Sequence, residues 1–416
     1  MLIEQKLIKL AEIGKGKLIG EDSSFYKIST DTRSINEGDV FLALKGDIYD
    51  GHDYLDEAIK KGAKCLISEN EFKGSIPYIK TTSTNLFLEN IAKAQRELFT
   101  GSVIAITGSN GKTSTKQILF DLLESFYPKR VFKSPGNWNN KLGLYYSLLE
   151  LNKSHQLAIF ELGTNSKGEI KDLSSFITPD IGAITNIGRS HLEGLLDIEG
   201  VLEEKTDLFN SVSLDGICLI RLKKEFLPKA KEKSRSKNLI ILEESDKLSF
   251  DQNMEMALSI ISSINDMLDQ NFYPSEDEIK HVRENFSVPG RQQIKMGSNK
   301  VTIMDDTYNA NPDSFYAAFK KIKSLNYKKK VCVMGGMSEL GDNNKFLQNE
   351  IINSACNIFD LVIALDMETD CDFKNLKIIS SDQIEKTLSN FLNEDSIVLF
   401  KASRSVRMEK IVQLFI

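Results

Sequence analysis

Several things are scarce in this chain of 416 residues, and each scarcity closes off a class of protein. No apolar run approaches the length a bilayer demands, so the sequence predicts no membrane span. The five cysteines (Cys65, Cys218, Cys332, Cys356, Cys371) are scattered without paired spacing. That pattern excludes a disulfide framework or a cysteine-rich metal finger and predicts reduced thiols in a cytoplasmic protein. Basic residues do not exceed acidic ones; a net charge of -6 argues against a nucleic-acid surface, because polyphosphate would be repelled. The start, MLIEQKLIKLAEIGKGKL, lacks an unbroken apolar stretch, since Glu4 and Lys6 interrupt it, and reads as amphipathic rather than as a secretion signal. What remains is an ordinary globular composition whose length suits two or three domains.

What is present is organised around residues 102–123, SVIAITGSNGKTSTKQILFDLL. Val103 to Ile106 is a short apolar run of the buried-strand type. Gly108 and Gly111 follow where the backbone must turn, and a helical pattern opens at Thr113 with Ile118, Leu119, Leu122 and Leu123 on one face. Strand, glycine turn, Lys-Thr and helix make a phosphate cradle, with backbone N–H groups converging on a concavity that favours anions. The candidate nucleotide-binding residues are therefore Gly108, Ser109, Asn110, Gly111, Lys112, Thr113 and Ser114. Lys112 is placed to reach the outer phosphates and the Thr113 hydroxyl to meet Mg²⁺. The full phosphate-loop pattern has glycine where this chain has Ile106, which leaves an ordinary strand-turn-helix as the bland alternative.

Residues 1–84 read as a small α/β unit: a helical pattern over 2–13, strands at Val40–Leu44 and Cys65–Ile67, and a helix from Tyr54 to Lys61 closed by Gly62. Its polar cluster is Asp31, Thr32 and Arg33, with Asp47 to His52 nearby in sequence. This is either a surface ion pair or a set of contacts to an anionic ligand. Thr81 to Asn85 reads as a linker, and Leu86 to Leu98 as a helix leading to the phosphate loop.

In residues 85–288, Asn137, Asn139 and Asn140 crowd a turn beside Trp138, either as turn formers or as a ligand-facing loop. The strand Leu157–Phe160 runs into Glu161, an acid at the strand edge where open α/β sheets bind ligands; burial there requires a cation, so Glu161 is a metal-ligand candidate. The strand Ile181–Thr185 leads to Asn186 and then His191, which is either a helix cap or a metal ligand. Residues 198–210 read as a helix, in which the sequence does not distinguish Lys205 from a solvent-facing lysine. A strand at Ile217–Ile220 precedes a basic run from Arg221 to Lys237, read as a solvated face, and Met254–Met267 reads as helix. In residues 289–416, Arg291 follows Pro289-Gly290 at a junction from which a guanidinium could reach phosphate. Strands at Val301–Met304, Val331–Met334, Phe359–Ala364 and Ser396–Phe400 alternate with helical stretches, and Pro312 opens the helix that runs to Ile322. This again predicts an open α/β sheet.

TGSNGKTS (107–114), PGNWNN (135–140), ELG (161–163), TNIGRSHLEG (185–194), PGR (289–291), DDTYNANPDS (305–314), MSELG (337–341) and KASRS (401–405) occur in this order. In that series the chain resembles the Mur ligases over essentially its whole length. DDTYNANPDS, the most specific piece, points to the members that add D-alanyl-D-alanine to UDP-N-acetylmuramoyl-tripeptide. The resemblance implies three α/β domains: a small N-terminal domain for the UDP-substrate (1–84), a central P-loop-type ATP domain (85–288) and a C-terminal Rossmann-like domain (289–416). It implies ATP and Mg²⁺ as cofactors, a monomer in the cytoplasm, and catalysis through an acyl phosphate. It further implies that Thr113, Glu161 and His191 hold Mg²⁺, that Lys205 is carbamylated and joins the metal set, and that Lys112, Lys205 and His191 are the catalytic residues. Asn253, Arg291 and Asp306 would contact the nucleotide, Asn186 would line the cleft, and Thr32, Arg33, Asn139 and Asn140 would serve the UDP-substrate.

The chain departs from that pattern around the base of the nucleotide. Arg221, Gln252 and Met256 stand where the family has asparagine, histidine and asparagine, and the segment between Ile220 and Asn253 is short. Ala402 replaces a glycine, and no histidine occurs between Asp342 and Glu350. The expectation is a working enzyme with an altered nucleotide pocket. The alternatives are another Mur-type ligase, folylpolyglutamate synthetase, which shares the ATP domain but lacks the first domain, and a non-catalytic nucleotide-binding protein.

Overall fold

A computed structural model describes residues 1–46, 48–234 and 238–416. Along the first segment run α1 (Leu7–Gly14), β1 (Lys17–Ile19), β2 (Ile28–Ser29), β3 (Val40–Leu42), α2 (Leu55–Lys60), β4 (Cys65–Ser68) and β5 (Tyr78–Lys80). The middle of the chain carries α3 (Thr84–Leu98), β6 (Ser102–Thr107), α4 (Lys112–Phe126), β7 (Val131–Lys133), α5 (Lys141–Leu149), β8 (Leu157–Glu161), α6 (Glu169–Ile177), β9 (Ile181–Ile184), α7 (Leu192–Leu195) and α8 (Ile198–Thr206). It continues with β10 (Ile217–Leu222), α9 (Leu227–Lys233), β11 (Asn238–Glu243), α10 (Ser249–Leu268) and α11 (Glu276–Asn285). The last segment holds β12 (Gln293–Met296), β13 (Thr302–Asp306), α12 (Pro312–Ser324), β14 (Lys329–Met334), α13 (Asn344–Cys356), β15 (Leu361–Leu365), β16 (Leu376–Ile379), α14 (Ile384–Leu388), β17 (Ser396–Lys401) and α15 (Glu409–Val412).

The chain divides into two compact units, Met1–Ile104 with Tyr127–Phe160, and Ala105–Phe126 with Glu161–Ile416. The first unit contains a five-stranded sheet in the order β1-β5-β4-β3-β2, parallel except for β1. It packs Phe41, Ala43 and Leu66 against Ala58 of α2 and Tyr78. The same unit holds the start of β6, next to β8, which pairs in parallel with β7. Gln95 of α3 is fully buried. Its Oε1 accepts from the amides of Leu2 and Ile3, and its Nε2 donates to the carbonyls of Leu148, Leu149 and Leu151 at 3.1–3.3 Å. With those two amides committed to Gln95 rather than to a helix, the predicted helix over 2–13 begins only at Leu7.

In the second unit the end of β6 lies beside β9, followed by β10 and β11 in parallel register. Its other sheet runs β12-β13-β17-β14-β15-β16, parallel except for the β12 edge. Val301, Ile303, Val331, Val333, Val398 and Phe400 form the middle of its core. In register, Asp306 of β13 and Met334 of β14 both face Lys401 of β17, so the polar ends of these strands share one edge. Helix α12 starts where the sequence predicts, with Pro312 in its first turn and a reciprocal Asn311–Ser314 capping box.

Two expectations fail here. The helix over 198–210 ends at Thr206 and tightens into a 3₁₀ turn, Asp207–Ser211. The basic run is not uniformly solvated: Arg221 is 2% exposed, and Lys233 pairs with Asp207 at 2.8 Å. Arg221 turns inward because it sits on a buried strand with carbonyl and carboxylate partners in reach. Arg235, Lys237 and Asp47 lie outside the described residues.

Candidate nucleotide and ligase site

The loop after β6 is a backbone cradle that two glycines make possible. Gly108 has φ +144°, and a Cβ there would stand 1.9 Å from Thr185 Oγ1. Gly111 has φ +84°, and a Cβ would stand 2.4 Å from Asn253 Oδ1. Any other residue would face a disfavoured backbone conformation and a collision together. The turn after β9 holds the loop in shape: the Ser109 amide donates to Asn186 O at 3.1 Å, the Asn110 amide to Asn186 Oδ1 at 2.9 Å, and Thr185 Oγ1 to Asn110 O at 2.6 Å. Ser109 Oγ donates to Gly188 O at 3.0 Å and lies 2.9 Å from the Gly188 amide, which donates back to it. Lys112 opens α4 and folds back, its Nζ donating to Gly108 O at 2.7 Å. Burial lowers its pKa to about 8, against a smaller opposing effect of Glu161. The Thr113 hydroxyl is buried with no hydrogen-bond partner among the described residues.

Glu161 ends β8 and is 1% exposed. Its Oε2 lies 3.1 Å from Nζ of Lys116, one helical turn beyond Lys112 on α4. Burial alone would raise the Glu161 pKa; Lys116, Lys112 and Arg291 outweigh it and lower it, so the carboxylate stays ionised. Sequence reasoning missed Lys116, although the i, i+4 spacing from Lys112 puts both amines on one helix face. His191 occupies a left-handed backbone position, φ +54°, and its Nδ1 is 2.6 Å from Glu339 Oε2. Burial lowers its pKa against that contact, and Lys112 and Lys205 add to the lowering.

Lys205 is not solvent-facing. It is 1% exposed, and no ion pair or hydrogen bond is found for its side-chain Nζ among the described residues. Burial, then the charge of Lys112, drives its pKa well below the usual lysine range. The neighbouring Glu204 is committed elsewhere, accepting from Thr164 Oγ1 and from the amides of Gly168 and Ile170.

From the C-terminal sheet, Arg291 lies over the Tyr308 ring, 4.1 Å from its centroid. Asp306 accepts from Lys401 Nζ at 2.7 Å and from the Gln292 amide at 3.1 Å. Asn253 is buried against Gly111. Near it, Arg221 donates to Glu243 O and Gln252 O, each at 3.0 Å, and to Glu255 at 3.1 Å, while Gln252 Nε2 donates to Ser245 O and Lys247 O. Met256 is buried. Arg221 and Gln252 thus use their polar atoms to fix the local backbone.

The first unit gathers the remaining candidates. Arg33 grips Asp31 through two nitrogens at 2.7–3.1 Å and is otherwise exposed. The Arg33 hydrogen bonds lower the Asp31 pKa to about 2. Thr32 Oγ1 donates to Glu57 at 2.9 Å, and Asn140 caps α5 by accepting from the Gly143 amide at 2.8 Å. Tyr146 bonds Thr30 and lies 5.6 Å ring to ring from Trp138, which brings the 30–33 turn and the asparagine loop together; Asn139 is half-buried there.

Among the described residues no three His, Cys, Asp or Glu side chains gather as a ready metal cage. The site nonetheless fits Mg²⁺, which is commonly held by one or two carboxylates together with substrate phosphates. An ionised Glu161 and the orphaned Thr113 hydroxyl beside the phosphate cradle are donors of that kind.

Comparison with known proteins agrees with this geometry. Residues 24–98 match the Mur ligase family catalytic domain, 106–295 the Mur ligase middle domain, and 290–411 the Mur ligase glutamate ligase domain. A UDP-N-acetylmuramoyl-tripeptide–D-alanyl-D-alanine ligase of Buchnera aphidicola is 31% identical over 100% of this chain and 99% of its own length. The chain belongs to the Mur ligase family. Among solved structures, this Mur ligase is similar to MurF from Acinetobacter baumannii (TM-score 0.83, 26% identity, 97% of each chain covered). It is also similar to MurF from Thermotoga maritima in complex with ADP (TM-score 0.78, 27% identity, 93% of this chain and 96% of the other). The expected three-domain α/β architecture is that of these Mur ligases.

Proposed function

We infer that this Mur ligase joins D-alanyl-D-alanine to UDP-N-acetylmuramoyl-tripeptide at the expense of ATP, a step of peptidoglycan synthesis. The observation that carries the reading is end-to-end similarity to ligases of that name, at 27–31% identity. A carboxylate is a poor acyl donor. Its oxygen attacks the γ-phosphorus, the bond to ADP breaks, and an acyl phosphate results. The dipeptide amine then attacks the acyl carbon, loses a proton, and phosphate leaves with its electron pair. Lys112 and Arg291 are the cations that hold and neutralise the phosphoryl oxygens. No side-chain nucleophile is required.

Thr113 and Glu161, with His191, would hold Mg²⁺, which when bound supplies further neutralisation of phosphate charge. Lys205 is the residue for carbamylation: CO₂ forms an N–C bond with the neutral amine, a proton leaves, and the product is an anion. Burial without a partner favours that neutral amine. Asn253 and Asp306 serve the nucleotide, with Gly108 to Ser114 around its phosphates. Thr32, Arg33, Asn139 and Asn140 serve the UDP-substrate. The domains run 1–84, 85–288 and 289–416; the third domain match, starting at 290, supports the last boundary. No helix among the described residues is long and apolar enough to cross a membrane. A cytoplasmic monomer is the form proposed, since ATP and a UDP-linked substrate are met there.

The test is the purified chain with ATP, Mg²⁺, UDP-N-acetylmuramoyl-tripeptide and D-alanyl-D-alanine, following ADP and the amide product. Product formation is expected. Turnover with a folate and glutamate instead would move the chain to the folylpolyglutamate reading. ADP binding without turnover on any of these would make it a non-catalytic binder.

A further inference from the structure

Arg189 is unused by the chemistry above, yet it is one of the most heavily engaged side chains in the second unit. It lies in the turn after β9, two residues before His191. Its backbone amide donates to Asp313 Oδ2 at 2.6 Å, and its Nε and Nη2 donate to Asp313 Oδ1 at 3.2 Å each. Its Nη1 donates to both oxygens of Glu350, at 3.1 and 3.2 Å. Tyr316, whose ring centroid is 5.9 Å from the guanidinium, donates its hydroxyl to Glu350 at 2.8 Å. One arginine thus joins the turn after β9 to the first turn of α12 and to α13. Arginine suits the task, since its fork serves two carboxylates at once and never loses its charge.

The same junction reaches the phosphate loop by two routes. Gly188, next to Arg189, exchanges both of its backbone groups with the Ser109 hydroxyl. Gly188 is also pressed on Asp313: a Cβ there would stand 2.4 Å from Asp313 Oδ2. Asn311, the cap of α12 two residues before Asp313, trades side-chain amide hydrogen bonds with Asn110 at 2.9 and 3.3 Å. The cradle at Ser109 and Asn110, the turn at Gly188 and Arg189, and the start of α12 therefore form one hydrogen-bonded knot.

We propose that Arg189 is a positioning residue for the ligase reaction: by clamping Asp313 and Glu350 it seats the start of α12 on the phosphate loop and so couples the C-terminal domain to the shape of the cradle. Arg189 touches no reacting atom in this account. Its removal leaves the cradle's own backbone intact, so resting affinity for nucleotide survives while the arrangement needed for turnover is lost. The inference rests on the ligase reading, and the two fail separately, because the wild-type assay tests the reading and the variants are scored against wild type.

The experiment compares Arg189→Met, Arg189→Lys, Glu350→Gln and the double variant Arg189→Met/Glu350→Gln. We measure kcat and KM in the full reaction, ADP affinity by calorimetry without the other substrates, and the thermal midpoint. Arg189→Met should lower kcat about tenfold or more, the size of lost charge-assisted hydrogen bonds. ADP affinity should stay within about twofold of wild type, and Arg189→Lys should recover part of the rate, because one charge remains but the fork is lost. The double variant should be no slower than the slower single variant, since both break one clamp. An unchanged kcat in Arg189→Met overturns the proposal. So does a rate loss matched by an equal loss of ADP affinity, or a double variant whose losses multiply. Glu350→Gln keeps the proposal testable if Arg189→Met does not fold, since it weakens the same clamp from the α13 side.

Discussion

The two compact units treat charge in opposite ways. In the second, Lys116, Glu161 and Lys205 are buried and Lys112 half-buried around the phosphate cradle; burial lowers the proton affinities of the three lysines, and neighbouring cations lower that of Glu161. In the first, Arg33 and Asp31 form a close pair that stays in solvent. Burying an ion costs several kcal/mol unless partners or a ligand compensate, whereas a solvated pair contributes little to the fold. The difference teaches that charge here is either buried at a cost its neighbours must offset or left hydrated where it weighs little on the fold.

The contrast breaks most visibly at the buried end. Lys112→Ala should cost about 10² to 10³ in kcat, the scale of one lost transition-state contact; steady-state kinetics checks it, and near-normal turnover would mean the cradle has been misread. The depressed Lys112 pKa adds a pH signature. Its ammonium form is lost as pH rises through about 8, so ADP affinity should weaken above that pH in the wild type and stay flat in Lys112→Arg. The sign for stability is opposite. Between about 8 and the unfolded lysine value near 10.4 the unfolded chain binds the extra proton, so the contribution of Lys112 to stability rises with pH.

Lys205→Ala should lose about 10² in rate and regain part of it with added short-chain carboxylate standing in for the carbamate. Mass spectrometry under bicarbonate, with an unmodified Lys205 and full activity after bicarbonate removal, would defeat that role. Lys116→Met should destabilise the fold by about 3 kcal/mol, because it takes the nearest cation from the buried Glu161 carboxylate and leaves Lys112 and Arg291; chemical denaturation measures it. A change below about 1 kcal/mol would say that water or another cation reaches Glu161. The smallest effect belongs to the exposed end. Arg33→Ala should leave the thermal midpoint unchanged and raise KM for the UDP-substrate about two- to fivefold, with nucleotide affinity untouched. A matching loss for ATP would erase the distinction between the two regions.

How much of this was legible beforehand follows from how local each signal is. The strand, glycine turn and helix at 102–123 could be read because each part is dictated by neighbours in sequence. The start of α12 could be read for the same reason, from Pro312, while its Asn311–Ser314 cap came from the structure. Short edge strands such as β1, β2 and β12 carried no such signal, since two to four residues of mixed character become strands only through a pairing partner. Arg221 misled because a basic run looks solvated until its first member is found on a buried strand. Lys116 and Arg189 were silent for a related reason: what marks them is the distant carboxylate each one meets.

Gln95 has a further consequence. Amides outside helices and strands ordinarily exchange their hydrogens with solvent quickly. Here the Leu2 and Ile3 amides point at a carboxamide buried inside the first unit. In a deuterium-exchange experiment the Leu2 and Ile3 amides should behave like the interior, opening only when they leave the Gln95 carboxamide. A strain applied at Leu2 and Ile3 would be felt some ninety residues further along, at the helix that holds them.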